Sequence, residues 1–132
     1  LTERYPDLST PFVQLGKYYI SQKQFDKAIP QFEKALENGD RNSDYHYLLS
    51  ICQFNVGQRD KAIDILLEGE KLGVSSGSYF SLEARLYMKM NQVDFAIASI
   101  ERGLRHFPTD TQLTEGLIKL RAIKDKAAYN AK

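Results

Sequence analysis

The chain has 132 residues, 42% hydrophobic and 27% charged, with 18 Lys and Arg against 17 Asp and Glu. That length suits one domain with a real core, since size scaling gives about 7,000 Å² of folded surface against about 22,000 Å² unfolded. A net charge of +1 removes the bulk attraction that dominates nucleic-acid binding, so neither DNA nor RNA is the expected partner.

One cysteine and two histidines build neither an internal disulfide nor a Cys-and-His zinc site without carboxylates, and no metal or cofactor is expected. No apolar run approaches the roughly 18 residues of a bilayer span, so helical membrane insertion is not expected. The first residue is Leu1 and no leader-like pattern follows, so the start reads as cut; the compartment stays open, with the cytoplasm favoured.

In chain order, residues 1–8 contain Glu3-Arg4-Tyr5-Pro6, which is echoed by Arg105-His106-Phe107-Pro108. They read as the tail of an upstream repeat. A helix is expected from Thr10-Pro11, because a proline at the first helical position gives up only an N–H that has no acceptor there. Phe12, Leu15 and Tyr19 follow at helical spacing, and Phe25, Ala28, Ile29, Phe32, Ala35 and Leu36 form a second amphipathic run after the polar connector Gln22-Lys23-Gln24. Pro30 costs little if that second helix begins near Phe25, because it then lies in or beside the unpaired first turn. Gly39 marks the end of this run.

The same alternation recurs. Ser43-Asp44 offers side-chain oxygens for the next start, Gly57-Gln58-Arg59 divides the helices, and Gly73 ends them. Ser76-Gly77-Ser78 opens a third pair, divided by Asn91-Gln92 and closed before Pro108. Residues 111–129 form a last helix, with Leu113, Leu117, Leu120 and Ala127 on one side and Lys119, Lys124 and Lys126 elsewhere, as a capping helix requires.

A period of 34 organises the whole. Ala28, Ala62 and Ala96 are spaced by 34, each followed by isoleucine and, four residues on, by Phe32, Leu66 or Ile100. Twelve residues before each alanine stands Gly16, Ser50 or Ala84. These small pairs would meet where the two helices of a hairpin cross, letting the axes approach toward the near end of the usual 8–10 Å range.

Leu15-Gly16, Tyr19, Phe25, Ala28, Phe32 and Ala35 resemble the tetratricopeptide repeat. The second copy keeps Leu49 and Ala62 but has Ser50, Gln53, Arg59 and Gly69 where that family prefers glycine, tyrosine, an aromatic and alanine. The third keeps Ala84, Tyr87, Ala96 and Pro108, with Glu83 in place of leucine. His46 replaces the usual tryptophan, and Phe12 and Phe80 fill its place in the other copies. The resemblance implies an all-α fold, a right-handed superhelical array of antiparallel hairpins. It divides the chain into an upstream tail 1–8, repeats 9–42, 43–76 and 77–110, and a capping helix 111–132.

Catalytic chemistry finds little footing. His46 and Cys52 are six residues apart on one expected helix, about 240° round, and cannot act as a base and nucleophile pair. His46 reads as a half-buried packing residue, Cys52 as a core residue and His106 as a cation at a helix C-terminus. Gly73 and Gly77 lack the spacing and the lysine of a phosphate loop.

The resemblance instead implies a non-catalytic protein-interaction scaffold, gripping a peptide or partner protein in a concave groove lined by the first helices. Positions five, nine and twelve of those helices lie within about 60° of one another. They hold Val13, Lys17 and Ile20; Tyr47, Ile51 and Phe54; and Ser81, Arg85 and Met88, with Lys119 extending the row. An apolar middle with cationic flanks suits a ligand with apolar anchors and acidic groups. Family members that clamp acidic chaperone tails use basic and amide residues at positions that here hold Val13, Lys17, Leu48, Ser78 and Leu82, so this chain is not expected to bind such tails by itself. The alternatives are a structural or self-assembling segment of a longer multi-repeat protein, a base-reading RNA repeat, or an accessory domain of an enzyme.

Overall fold

The computed structural model describes residues 9–38 and 42–131. Among them there are seven helices and no strand: α1 (Thr10–Ser21), α2 (Phe25–Glu37), α3 (Ser43–Asn55), α4 (Arg59–Glu70), α5 (Ser78–Lys89), α6 (Val93–His106) and α7 (Thr111–Asn130). The reading of residues 1–8 and the Gly39 stop lie outside the described residues. Two compact units emerge, Leu1–Gly73 and Val74–Lys132.

Each hairpin turns in the same way. Residues 23, 57 and 91 all have positive φ: Lys23 at 57°, Gly57 at 90° and Asn91 at 58°. The next amide in each turn reaches back to the helix just ended, from Gln24 to the Tyr19 carbonyl (2.8 Å), Gln58 to Gln53 (2.9 Å) and Gln92 to Tyr87 (2.9 Å). The left-handed residue reverses the chain within three positions, and the hydrogen bond ties the turn back onto the last turn of the helix; the Tyr19 and Tyr87 carbonyls each accept a second bond, from Gln22 and Met90. Only the second turn uses glycine, the residue that adopts this conformation without a Cβ penalty.

In the N-terminal unit, Val13, Ala28, Phe32, Ala35, Leu49 and Cys52 form a buried cluster joining α1, α2 and α3. Gly16 is necessary to it: a Cβ there would stand 2.7 Å from Cζ of the fully buried Phe32 ring. The small residue thus makes room for an aromatic four residues beyond Ala28. Ser9 is buried, and its hydroxyl donates to the Ala35 carbonyl at 3.1 Å, tying the start of α1 to the end of α2.

Several local expectations change. Thr10 is the first residue of α1, which puts Pro11 second, still among the amides without an intrahelical acceptor. Asn42 rather than Ser43 caps α3, its Oδ1 accepting from the Asp44 amide at 2.8 Å, while Ser43 is buried. Gly77 is the residue before α5 and no side chain caps that helix; Ser76 and Ser78 instead bond to each other at 2.7 Å. Pro30 lies inside α2, where the Ala28 amide already bonds Gln24. The proline therefore sits beyond the unpaired turn, and both it and Asp26 are exposed, so water can reach the carbonyl it leaves unbonded. Leu15 is 40% exposed rather than part of the packed face.

The C-terminal unit packs Phe80, Ala84, Ala96, Ile97, Ile100, Leu113 and Leu120 from α5, α6 and α7. Two bare positions set the spacing. A Cβ on Gly103 would lie 2.8 Å from Cβ of Phe80, and one on Gly77 would run into Oδ2 of Asp110 and lie 2.9 Å from Leu113. Asp110 can then cap α7 through the Leu113 amide at 3.0 Å. Leu113 and Leu120 are buried and Leu117 packs beside them, but Ala127 is exposed.

Position 83, where the family pattern expects leucine, holds a buried ion pair. Glu83 is fully buried; its Oε1 accepts from the Ser99 hydroxyl at 3.2 Å and from the Arg102 guanidinium, which remains partly exposed. Ser99 and Arg102 lie three residues apart on α6, so both reach the same point on α5.

Candidate functional site

The C-terminal unit contains a cavity of about 330 Å³ between α5 and α7, floored by α6. The helix repeat explains its lining. Ser81, Arg85 and Met88 recur along one face of α5, while Gln112, Gly116, Lys119 and Ile123 recur along α7. Ala84, Ile100 and Leu120 are buried beneath and give an apolar floor. Gly116 keeps the space open: a Cβ built there meets nothing nearer than Ile100 Cδ1 at 3.9 Å, so any larger side chain would occupy the cavity itself.

Arg85 and Lys119 are exposed on opposite walls, and neither forms an ion pair with a described residue. α7 is held against α6 by Lys124 to Asp94 at 2.7 Å and by Arg121 to Glu101 at 3.8 Å. Both pairs are solvent-exposed and orient the helix more than they stabilise it. Asp94 holds the Lys124 ammonium above its ordinary range, first through the hydrogen bond and then through charge.

Four of the residues expected from sequence, Ser81, Arg85, Met88 and Lys119, therefore come together here. Gln112, Gly116 and Ile123 were missed; a glycine in the middle of a helix, in line with Lys119, was the available signal.

In the N-terminal unit the expected residues divide. Val13 is only 5% exposed and belongs to the core cluster, so packing between α1, α2 and α3 takes the surface it would offer a ligand. Lys17 is exposed; Ile20, Tyr47, Ile51 and Phe54 are half-buried. The Arg59 guanidinium lies 5.3 Å over the Phe54 ring, a cation beside an expected groove residue that the sequence pattern does not single out.

The reactive side chains are occupied otherwise. Cys52 is fully buried, and burial pushes its thiol up to about 12, which leaves no thiolate for nucleophilic work near neutral pH. His46 Nδ1 is 3.1 Å from the Asn42 carbonyl, and the His106 ring stacks on Phe80 with centroids 5.8 Å apart. Among the described residues no group of three His, Cys, Asp or Glu is placed to hold a metal ion. None of the described helices is long and apolar enough to cross a membrane.

Helix hairpins repeated every 34 residues, with small buried residues recurring at the same period, define a tetratricopeptide-repeat protein. Residues 21–103, more than half of the chain, match the family described as anaphase-promoting complex, cyclosome, subunit 3, and the chain belongs to that family. It is 26% identical over 92 residues to Superkiller complex protein 3 of Mus musculus, covering 66% of this chain and 6% of the relative. It is 24% identical over 120 residues to the TPR repeat-containing protein YsoA of Bacillus subtilis, covering 88% of this chain and 35% of that protein. The chain thus spans a minor part of the length of either relative. Among solved structures, the TPR2AB domain of yeast Sti1 in complex with pHSP90 superposes with a TM-score of 0.84 at 18% identity, over 94% of this chain and 50% of that one. That similarity establishes the fold.

Proposed function

We propose that this chain is a non-catalytic protein-interaction module of the cytoplasm, and that it holds a peptide or a segment of a partner protein on the faces of its first helices. The observation that carries the reading is the α5–α7 cavity, which has an apolar floor and a cation on each wall. About 330 Å³ is at the small end of the range for ligand pockets and suits one or two side chains rather than a whole cofactor. The ligand is an extended or helical segment with an apolar anchor for the floor and acidic residues for Arg85 and Lys119. Lys17, Ile20, Tyr47, Ile51 and Phe54 offer the same chemistry in the N-terminal unit. An acidic chaperone tail is a poor candidate, because Val13 and Leu82, which occupy two positions of the tail clamp, are buried.

The reading is tested with the peptide Asp-Asp-Leu-Asp-Asp, blocked at both ends, titrated against the full chain at low and high salt. Binding should weaken at least tenfold in the variant carrying both Arg85→Glu and Lys119→Glu, and should fall with salt in the native chain. Equal binding by the two proteins would defeat it. Self-association is the alternative use of such faces, and sedimentation over a hundredfold range of concentration separates the two.

A further inference from the structure

The N-terminal unit carries a second cavity, of about 390 Å³, on a different set of helices: Glu33, Leu36 and Glu37 of α2, His46 and Leu49 of α3, and Lys61, Ile65 and Glu68 of α4. Leu49 is buried, and Leu36 and Ile65 are half-buried against the core, so its base is apolar and fixed by packing. Its rim is acidic. Glu33, Glu37 and Glu68 are exposed, and none of the three forms an ion pair with a described residue.

The arrangement carries an electrostatic cost. Glu33 and Glu37 are four residues apart on α2, where like charges destabilise a helix. Among the described residues that line it, three carboxylates face one ammonium, that of Lys61, in a chain whose charges as a whole nearly balance. A cation brought to this rim relieves the repulsion, and an apolar group beside that cation finds the base formed by Leu36, Leu49 and Ile65. The opposite polarity of the α5–α7 cavity means that one ligand chemistry does not serve both.

We infer that the α2–α3–α4 cavity is a second docking site, for a basic segment of a partner protein in which one leucine-like side chain is flanked by lysines or arginines. The chain is then an adaptor with two docking sites, one for acidic and one for basic segments. Steering by the carboxylates sets the salt dependence, and the apolar side chain supplies the selectivity.

The test uses the full chain and the blocked peptide Lys-Lys-Leu-Lys-Lys, with Lys-Lys-Ser-Lys-Lys and Gln-Gln-Leu-Gln-Gln as controls. Binding is followed by amide chemical shifts. The leucine peptide should shift the amides of His46, Leu49 and Ile65 and bind at least tenfold more tightly than either control. Affinity should fall at least tenfold in the variant with Glu33→Gln, Glu37→Gln and Glu68→Gln. All three side chains are exposed, so the variant should keep the native far-ultraviolet circular dichroism. The amides of Ser81, Gly116 and Lys119 should not shift, which keeps this site separate from the acidic-ligand one. Equal binding by the serine peptide would overturn the proposal, as mere adhesion to carboxylates; so would equal binding by the triple variant. A concentration-dependent dimer lost in the triple variant would also overturn it, assigning the cavity to a second copy of the chain.

Discussion

The Glu83–Arg102 pair should respond very differently to the loss of one partner than to the loss of the other. In Arg102→Ala, a carboxylate with no exposed surface loses its cation and keeps the Ser99 hydroxyl at 3.2 Å. Stripping the partner from a buried charge typically costs about 3–5 kcal/mol. In Glu83→Leu the group left behind is a guanidinium on a side chain already 28% exposed, which can turn to water. A leucine of similar size gains about 1.5–3 kcal/mol from burial at the same place. The Arg102 variant should therefore lose about 3 kcal/mol, while the Glu83 variant stays within about 1 kcal/mol of the native chain or exceeds it. Urea unfolding followed at 222 nm reads the difference as a midpoint shift on the order of 1 M for Arg102→Ala. The double variant should resemble Glu83→Leu alone. If Glu83→Leu loses as much as Arg102→Ala, the pair stabilises by attraction rather than by relieving a buried charge, and this reasoning fails.

The turn residues make a second test: Lys23→Gly should gain about 0.5–1 kcal/mol by removing a left-handed side chain, and Gly57→Ala should lose about 1 kcal/mol, both read from urea midpoints. Ala62, which is fully buried, should not accept a charge, so Ala62→Arg should cost several kcal/mol and the exposed control Lys61→Ala under about 0.5 kcal/mol. If these two melt alike, the helix pairing at that crossing is wrong. Gly16→Ala should lose about 1–2 kcal/mol, since the new methyl meets the buried Phe32 ring; a stabilised variant would show that the ring moves aside freely. For Cys52 the folded thiol titrates above its ordinary value, so folding favours the protonated form. That contribution is complete below about pH 9 and is lost as the pH rises toward 12. Stability should therefore fall over that window in the native chain and fall less in Cys52→Ala.

What the sequence revealed depended on whether a residue's neighbour lay within one hairpin. Ala28, Ala62 and Ala96 with Phe32, Leu66 and Ile100 are buried as the 34-residue period requires, because a helical face repeats its own partners. The turns were visible as polar breaks, but Lys23 and Asn91 gave no sign of positive φ, since neither residue type demands it. Glu83 stood out as a charge where leucine belongs; Ser99 and Arg102 could not be attached to it without knowing how α6 lies on α5. Helical angle alone puts Val13 on a ligand face, and angle does not show which neighbouring helix covers that face. The α5–α7 cavity was half legible: its basic and apolar walls followed from periodicity, while its depth comes from the absence of a side chain at Gly116.

The place where an acidic, leucine-bearing peptide binds decides the function of the α5–α7 cavity. Saturating the isotope-labelled full chain with Asp-Asp-Leu-Asp-Asp and collecting intermolecular nuclear Overhauser effects locates the leucine side chain directly. It should lie against Met88, Ile100 and Leu120, with shifted amides at Ser81, Gly116 and Lys119. Contacts confined to the second helices, around Lys34, Asp64 and Arg102, would contradict the assignment and make the α5–α7 cavity a product of packing alone.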